Sequence, residues 1–510
     1  MKQIRLTTAQ TAVIMAALTL GSKFLGFVRE AVLANYYGAG MVTDAYKIAL
    51  SIPNYLLAAA VSAFAAAYMP ELANISENRG QDEANVFTSR VINLQLLISL
   101  AVTVLGVIFA VPLVRFFAPG FGAESASLAA YYLRASFLLI VFNIFISVCG
   151  AYMRYKGVFI PELAFGLLHD VVIIVVIVIS VYTSSYLLIY GTVLGYLLRA
   201  VFGMLYSRRC GYRYSFDTKY GEVIRTVAAM ALPIFLGGYV SQFNTMIDRM
   251  LASNLVEGSI SALDYGNLIV GVIVALTTTI LTSIVYPRLA KAFAQGDMER
   301  ISTLCEGSMN IGLLISVPFT FGSIAFGAPV VQLLYARGAF GTAATAMTTS
   351  AFQWYALRIC FAAVSGVIVY VFYTLHDTKT PVFCSCASVA VNVILNLLLV
   401  RVMAHAGLAL ATSIAAVVNA VLLWIAFRRK HGDIRLLESG RKLGLIVLFS
   451  GISVAVSYGL WLLLRGSMPA LLSLGLAILA AAGVYLIVLK LAGFPELALL
   501  RQLFRPSASE

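Results

Sequence analysis

Three charged residues, Lys23, Arg29 and Glu30, stand inside the first long apolar stretch of the chain, LTLGSKFLGFVREAVLANYYGAG at residues 18–40. A charge at the centre of a bilayer costs roughly 3 kcal/mol, so such residues usually face an opposite charge or a wet cavity. Lys23 and Glu30 are separated by about two helical turns, so they share one face of the helix. Basic groups on such a face suit an anion such as a phosphate or pyrophosphate. We therefore expect this helix to line a substrate cavity, with a local ion pair and snorkelling stems as the alternative.

Four more polar residues lie in or beside the predicted spans of the first half of the chain. Lys47 and Arg134 lie near the predicted outer ends of their spans, where long basic side chains snorkel to the interface. Asp44 stands in GAGMVTDAY before the second helix and is a candidate substrate-binding residue, with an N-cap of that helix as the alternative. Asn54, in the tripeptide IPN of the second helix, is a further candidate for substrate binding.

A second polar cluster combines a carboxylate, two amides and a hydroxyl. Asp248 lies in FNTMIDRM, and Asn392 and Asn396 stand one turn apart in VNVILNLLLV, which Thr412 follows. Their oxygens are the kind of ligand that a hard cation needs, so the cluster indicates a Na⁺ site. Asparagine side chains also join membrane helices through hydrogen bonds, and this structural role is the alternative.

The sequence contains no group of residues with the spacing of a catalytic site. No glycine-rich phosphate loop with lysine occurs, and the four histidines are scattered. His169 and Asp170 form a proton-linked site or a packed, satisfied pair, and we expect the latter. The six cysteines lie mostly in apolar runs without metal-ligand spacing and are expected to pack in the core. We therefore expect no enzyme activity and no cofactor apart from the Na⁺ of the polar cluster.

The composition is that of a membrane protein. Hydrophobic residues make up 61% of the 510, charged residues 11%, and the mean hydropathy is +0.93, far outside the range of soluble domains. With ~20 apolar residues per crossing, the sequence predicts an all-α polytopic protein of fourteen transmembrane helices. The first span follows no signal-peptide pattern and is expected to remain as a helix. The predicted spans are 9–34, 45–70, 88–112, 127–152, 158–182, 186–207, 223–249, 264–287, 305–326, 346–373, 381–402, 406–427, 442–464 and 469–491.

The loops between these spans alternate in basic charge. Twenty-four lysines and arginines lie in the two tails and the even-numbered loops or at the span ends beside them, and five lie in or beside the odd-numbered loops. The positive-inside rule therefore places both termini in the cytoplasm. The net charge of +13 comes largely from these loops, so it does not indicate a nucleic-acid partner.

A short motif recurs in the second half of the chain. Asn35 and Tyr46 are eleven residues apart, and so are Asn254 and Tyr265. Six predicted helices separate the two copies, so the halves have the same orientation, as in transporters built from parallel repeats. We expect two parallel six-helix lobes followed by a C-terminal helix pair with a cytoplasmic tail, with boundaries at 1–210, 211–430 and 431–510.

The stretch GSKFLGFVREAVLANYYGAGMVTDAYKIALSIPN resembles the N-terminal signature of the MurJ/MviN family, the lipid II flippases of the multidrug/oligosaccharidyl-lipid/polysaccharide exporter superfamily. IDRMLASNLVEGSISALDYGN and HAGLALATSIAAVVNA extend the likeness through the chain. The resemblance implies a monomer in the bacterial cytoplasmic membrane. It implies translocation of undecaprenyl-pyrophosphate-linked peptidoglycan precursor (lipid II) to the outer leaflet by alternating access, with lipid II and membrane lipids as partners.

The resemblance also implies roles for residues. In the family, arginines of a central cationic cavity hold the pyrophosphate, and the last two helices form a groove for the lipid tail. By position, Arg29 matches a cavity arginine and Asp44 a functionally important acid, whereas Lys23 stands where arginine is usual. The family's sodium site matches four positions: Asp248, Asn392, Asn396 and Thr412.

The chain departs from the family pattern after the IPN tripeptide. Leu57, Ala58 and Val61 stand where the family often has an arginine pair and a glutamate, and a cavity arginine expected near Leu268 is absent. These differences favour, as an alternative, a flippase for another polyprenyl-linked glycan, such as a precursor of teichoic acid, capsule or exopolysaccharide. A cation-coupled drug exporter is a further alternative and would predict a more acidic cavity. A membrane-embedded glycosyltransferase would need a larger outer loop with paired carboxylates.

Overall fold

The computed structural model describes residues 8–217, 221, 242–296, 298–431 and 440–494, and within these ranges all regular secondary structure is helical. A backbone surrounded by lipid must satisfy its own hydrogen bonds, which favours helices. The helices are α1 (Thr8–Tyr37), α2 (Met41–Arg79), α3 (Gln81–Ile108), α4 (Ala110–Phe117), α5 (Ala123–Ser136), α6 (Leu138–Tyr155), α7 (Ile160–Tyr182), α8 (Leu187–Arg209), α9 (242–252), α10 (Ser259–Ala294), α11 (Met298–Ala325), α12 (Gly327–Tyr335), α13 (Thr342–Ala356), α14 (Arg358–Thr374), α15 (Lys379–His431), α16 (Gly440–Leu464) and α17 (Ala470–Leu491).

Ten helical stretches in the described part of the chain are long and apolar enough to cross a membrane. The predicted all-α, multi-pass class is therefore confirmed. One of the ten, Ala123–Tyr155, joins α5 to α6, and another, Thr342–Thr374, joins α13 to α14.

The chain forms two compact units. Unit 1 consists of Met1–Ser261 with Arg337–Phe340, and unit 2 of Ala262–Ala336 with Gly341–Glu510. In unit 1, α7 packs against α1 and α8, α8 against α6, and α2 against α5. In unit 2, α14 packs against α11 and α15, and α16 against α11 and α17.

The span predicted over 127–152 lies within the apolar stretch Ala123–Tyr155, which is long enough to cross the membrane and contains a break at Phe137 between α5 and α6. The Phe137 carbonyl accepts a hydrogen bond from Thr103 Oγ1 of α3 at 3.1 Å, so a side chain compensates for the interrupted helical ladder. The Phe137 ring lies against Gly106 of α3, where a Cβ would come within 2.5 Å of ring atoms. The determinants of this break therefore lie on another helix.

Helix breaks occur at corresponding places in the two units. Phe137, between α5 and α6, has φ −61 and ψ −26, and Leu357, between α13 and α14, has φ −57 and ψ −28. Phe109, between α3 and α4, has φ −91 and ψ 16, and Phe326, between α11 and α12, has φ −96 and ψ 14. The members of these pairs are 220 and 217 residues apart. Because the recurring sequence motif has a similar offset, the breaks support an internal repeat.

The helix α15 is a helical hairpin. Ala404 has φ 50 and ψ −132, outside helical values. Ser388 Oγ donates to the Ala415 carbonyl oxygen at 2.6 Å although 27 residues separate them, and that number of residues in a straight helix would span roughly 40 Å. The two halves of α15 therefore run antiparallel and correspond to the eleventh and twelfth predicted spans.

Ala404→Gly is expected to stabilise this hairpin. A positive φ with a strongly negative ψ is a conformation that glycine adopts without strain, so the free energy of unfolding should rise by about 1 kcal/mol. The measurement is the thermal unfolding midpoint of the purified protein in detergent. Gly407→Ala should lower the midpoint, because its Cβ would lie 2.5 Å from the Leu399 carbonyl oxygen. A midpoint for Ala404→Gly at or below the wild-type value would show that the turn is not strained.

Candidate substrate site

Four charged side chains of unit 1 form a continuous chain, named here the charge chain: Lys47, Glu30, Arg29 and Asp170. Lys47 Nζ lies 3.3 Å from Glu30 Oε2, and Glu30 Oε1 lies 3.2 Å from Arg29 Nη2. Arg29 Nη1 lies 2.8 Å from Asp170 Oδ1. Cations and carboxylates alternate along the chain, so each charge has an opposite charge in contact.

The packing of three helices produces this arrangement. Arg29 and Glu30 are neighbours on α1, so their side chains leave the helix about 100° apart. The helix α1 packs along α7, which carries Asp170, and Glu30 reaches Lys47 on α2. The side chain of Lys47 is only 8% exposed, so the predicted snorkelling to the outer interface is wrong. The Glu30 carboxylate compensates the charge of Lys47, so the side chain does not need to reach the water at the interface.

A cavity of about 370 Å³ lies inside unit 1 beside the charge chain. Arg29 and Glu30 line it, and the Arg29 side chain keeps 29% of its surface accessible. This volume lies within the range of roughly 300–1,000 Å³ that is typical of small-ligand sites. The other polar side chains of the wall are Tyr46, Asn54, Asn143, His169, Thr192 and Tyr196.

His169 brings an unsatisfied nitrogen to the wall of this cavity. The residue is 6% exposed, and its Nε2 atom is buried without a hydrogen-bond partner among the described residues. Its ring packs edge-on against Tyr196, with 4.6 Å between the ring centroids. The expectation of a packed and satisfied His169–Asp170 pair therefore fits Asp170, which binds Arg29, and does not fit His169.

The structure brings three of the five predicted substrate-binding residues to one cavity: Arg29, Glu30 and Asn54. Lys23 is exposed and lies outside the residues that line the cavity. Sequence reasoning missed the hydrogen-bonded pair of Tyr46 Oη and Thr192 Oγ1, which are 2.5 Å apart. Uncharged polar residues are common in membrane helices, so the sequence carried no signal that would have singled them out.

Asp44, the fifth predicted residue, anchors the start of α10. Its Oδ1 accepts hydrogen bonds from the Ser261 amide at 2.8 Å and the Ser261 hydroxyl at 2.5 Å, and its Oδ2 accepts one from the Gly258 amide at 2.7 Å. Unpaired amides and the helix dipole favour a carboxylate at this end of a helix. The alternative of an N-cap for α2 is wrong, because Gly40 holds that position and its amide donates to Thr43 Oγ1 at 2.9 Å.

Three of the four predicted sodium ligands meet inside the α15 hairpin, in a group named here the amide cluster: Asn392, Asn396 and Thr412. Asn396 Nδ2 donates to Asn392 Oδ1 at 2.7 Å, and Asn392 Nδ2 donates to Thr412 Oγ1 at 3.4 Å. Both asparagines are fully buried. The bond between Asn392 and Thr412 links the two halves of the hairpin, as the structural alternative expected, and the bond between the two asparagines lies within the first half. Asp248 lies on α9 in unit 1.

Comparisons with known proteins show which family this chain is similar to. A family model described as Lipid II flippase MurJ matches residues 33–483. The chain is 28% identical over 434 residues to the probable lipid II flippase MurJ of Rickettsia prowazekii, covering 84% of this chain and 85% of that protein. It is 26% identical over 428 residues to the lipid II flippase MurJ of Burkholderia cenocepacia, covering 82% and 83%.

Solved structures share the fold. The lipid II flippase MurJ in an inward closed conformation matches with a TM-score of 0.81 and 24% identity, covering 97% of this chain and all of that one. A multidrug resistance MATE family transporter in an inward-facing conformation matches with a TM-score of 0.65 and 14% identity, covering 84% of this chain. At these identities the matches establish the fold.

Asp44→Asn is expected to loosen the start of α10. The amide removes the negative charge at the helix N-terminus and one hydrogen-bond-accepting oxygen, so the free energy of unfolding should fall by about 1–2 kcal/mol. The measurement is the thermal midpoint together with hydrogen exchange of the amides at 258–261. Asp82→Asn, which changes an exposed acid in the first turn of α3, is the matched control and should have little effect. Wild-type exchange at 258–261 in Asp44→Asn would contradict the anchoring role.

Proposed function

The chain belongs to the family of the lipid II flippase MurJ, a family of transporters rather than enzymes, and we propose that it moves lipid II from the inner to the outer leaflet. The observation that carries the proposal is a partly accessible guanidinium, that of Arg29, on the wall of a cavity among membrane helices. Guanidinium groups bind phosphate oxygens through paired hydrogen bonds. We propose Arg29 as the anchor for the pyrophosphate, with alternating access as the transport mechanism.

Arg29 has donors left for this purpose. A guanidinium carries five N–H groups, and the bonds to Asp170 and Glu30 use one each from Nη1 and Nη2. Asn54 and Asn143 line the same cavity and could donate amide hydrogens to a glycan or a phosphate. We propose Glu30 and Asn54 as further substrate-site residues, and Lys23 and Asp44 stay predictions of that role.

One observation favours a second candidate substrate. Leu57, Ala58 and Leu268 carry no charge at positions where an arginine is common in the family, so fewer cations would face the pyrophosphate. This difference favours another polyprenyl-linked glycan. Its lipid and its pyrophosphate would be the same, so the transport mechanism would not change.

We propose fourteen crossings in two parallel six-helix lobes and a C-terminal pair, with both termini in the cytoplasm, and a monomer as the working unit. The matched helix breaks support the repeat, and the α15 hairpin supplies two crossings from one helical stretch. The contrast of basic residues between loops supports the orientation. The boundaries at 210 and 430 stay a prediction.

We also propose that the amide cluster provides oxygen ligands for Na⁺. Its three side chains are close together and carry amide and hydroxyl oxygens, which suit a hard cation. A bound Na⁺ would supply positive charge that holds the two halves of the hairpin together. Asp248 stays the fourth predicted ligand.

Arg29→Ala is expected to abolish transport while the protein still reaches the membrane. The measurement is lipid II exposure on the outer face of bacteria whose own flippase has been switched off, with either form supplied instead. Arg29→Lys should retain part of the activity, because it keeps the charge and loses the fork of donors. Arg90→Ala, which changes an arginine paired with Asp217 at 2.8 Å outside the cavity, is the control. Full activity of Arg29→Ala would exclude the anchor, and inactive, well-inserted wild type would favour another glycan.

Sodium is expected to stabilise the wild-type protein relative to potassium at equal ionic strength. Binding to the folded state alone would add about 1.4 kcal/mol when the free concentration is ten times the dissociation constant. The measurement is the thermal midpoint of wild type, Asn396→Leu and Thr412→Val in each salt. Both variants should lose the difference between salts. Equal midpoints for the wild type in the two salts at high concentration would contradict the site.

A further inference from the structure

The charge chain balances its own charge. Lys47 and Arg29 contribute two positive charges, and Glu30 and Asp170 contribute two negative charges. A site proposed to bind a pyrophosphate is therefore neutralised by the protein itself before any substrate arrives. An anion that binds the remaining donors of Arg29 brings more negative charge beside two carboxylates, so it is held tightly only when one of these carboxylates gives up part of its contact with Arg29.

The two carboxylates that contact Arg29 differ in how easily they can be separated from it. Glu30 is the next residue on the same helix, so it moves with Arg29, and Lys47 would still compensate its charge. Asp170 lies on a different helix, α7, and makes the shorter contact, at 2.8 Å. A small shift of α1 against α7 would separate Arg29 from Asp170 and leave the pair with Glu30 intact.

The surroundings of Asp170 allow this separation. The helix α7 packs against α1 and α8, and the charged groups that face Asp170 from these elements are Arg29, Glu30 and Arg199. The Arg199 guanidinium lies along α7 beside Gly166, one turn before Asp170. A second cation therefore stays near the carboxylate when Arg29 turns to another anion.

We propose that Asp170 is an internal competitor for Arg29: it occupies the guanidinium in the empty state, gives way to the anionic pyrophosphate of the substrate, and recaptures Arg29 as the substrate leaves. The proposal rests on the proposed function, because it takes lipid II as the ligand of Arg29. Asp170 is thus a positioning residue that sets both the affinity and the release of the substrate.

Asp170→Asn tests this competition, because the amide keeps the size of the side chain and removes its charge. The variant is expected to bind lipid II more tightly, roughly fivefold in Kd, as the loss of a partly exposed ion pair would give, and to transport it more slowly because release is impaired. Binding would be titrated by native mass spectrometry of the purified full chain, and transport by lipid II exposure in cells. Undecaprenyl pyrophosphate, which has the same anionic group without sugars, should show the same order of affinities.

Asp217→Asn is the matched control, because Asp217 pairs with Arg90 at the same 2.8 Å outside the cavity, and its affinity and rate should equal those of the wild type. Asp170→Ser removes the same carboxylate with a smaller polar side chain and should also tighten binding, so it tests the competition if Asp170→Asn does not fold. Unchanged or weaker binding in whichever of the two variants folds, with lipid II bound by the wild type, would overturn the competition alone. Failure of the wild type to bind lipid II would overturn the proposed function and this inference with it.

Discussion

Compensation of charge within the membrane is the constraint on which unit 1 depends. Apolar packing between helices selects weakly in a bilayer, because lipid tails are as apolar as the side chains they would replace. A charge left without a partner is costly there, so Arg29 can lie only where Asp170 and Glu30 lie. The ionic contacts therefore join α1 to α7 and α2 at one level of the unit, and the cavity is at that level.

Backbone hydrogen-bonding groups also need partners wherever a helix begins, bends or turns, and this need constrains the packing in the same way. Thr103 supplies a donor to the carbonyl at the Phe137 break, and Asp44 supplies acceptors for two amides at the start of α10. In the α15 hairpin, side-chain bonds between the two halves accompany the turn at Ala404. Each of these side chains comes from a segment distant in sequence, so the polar residues of the membrane region specify how segments meet.

Some features of the structure depend on local composition and others on contacts between distant segments, and this difference explains which features could be predicted from the sequence. Hydropathy depends on composition within a short window, so it predicted the helical class and both halves of α15. The charges in α1 marked Arg29 and Glu30 because a charge in an apolar run is rare. Asp170, the partner of Arg29, is however 141 residues away, and the residues around Asp170 do not indicate that it pairs with Arg29. The snorkelling predicted for Lys47 and the N-cap alternative for Asp44 were wrong for a related reason, because local rules gave each side chain a role in its own segment, whereas its partner lies in another one.

The neutral charge chain also bears on how a carrier can both bind and release one cargo. A cavity with permanently unpaired cations would hold a pyrophosphate strongly and in every conformation, and a ligand bound equally well by two states shifts neither. In the proposed exchange, the two states differ in which anion Arg29 contacts, a protein carboxylate or a substrate oxygen. Both contacts are charge-assisted hydrogen bonds of one kind, so their difference in free energy is smaller than either contact alone. The protein can then pass between the empty and the loaded state without ever leaving Arg29 uncompensated in the membrane.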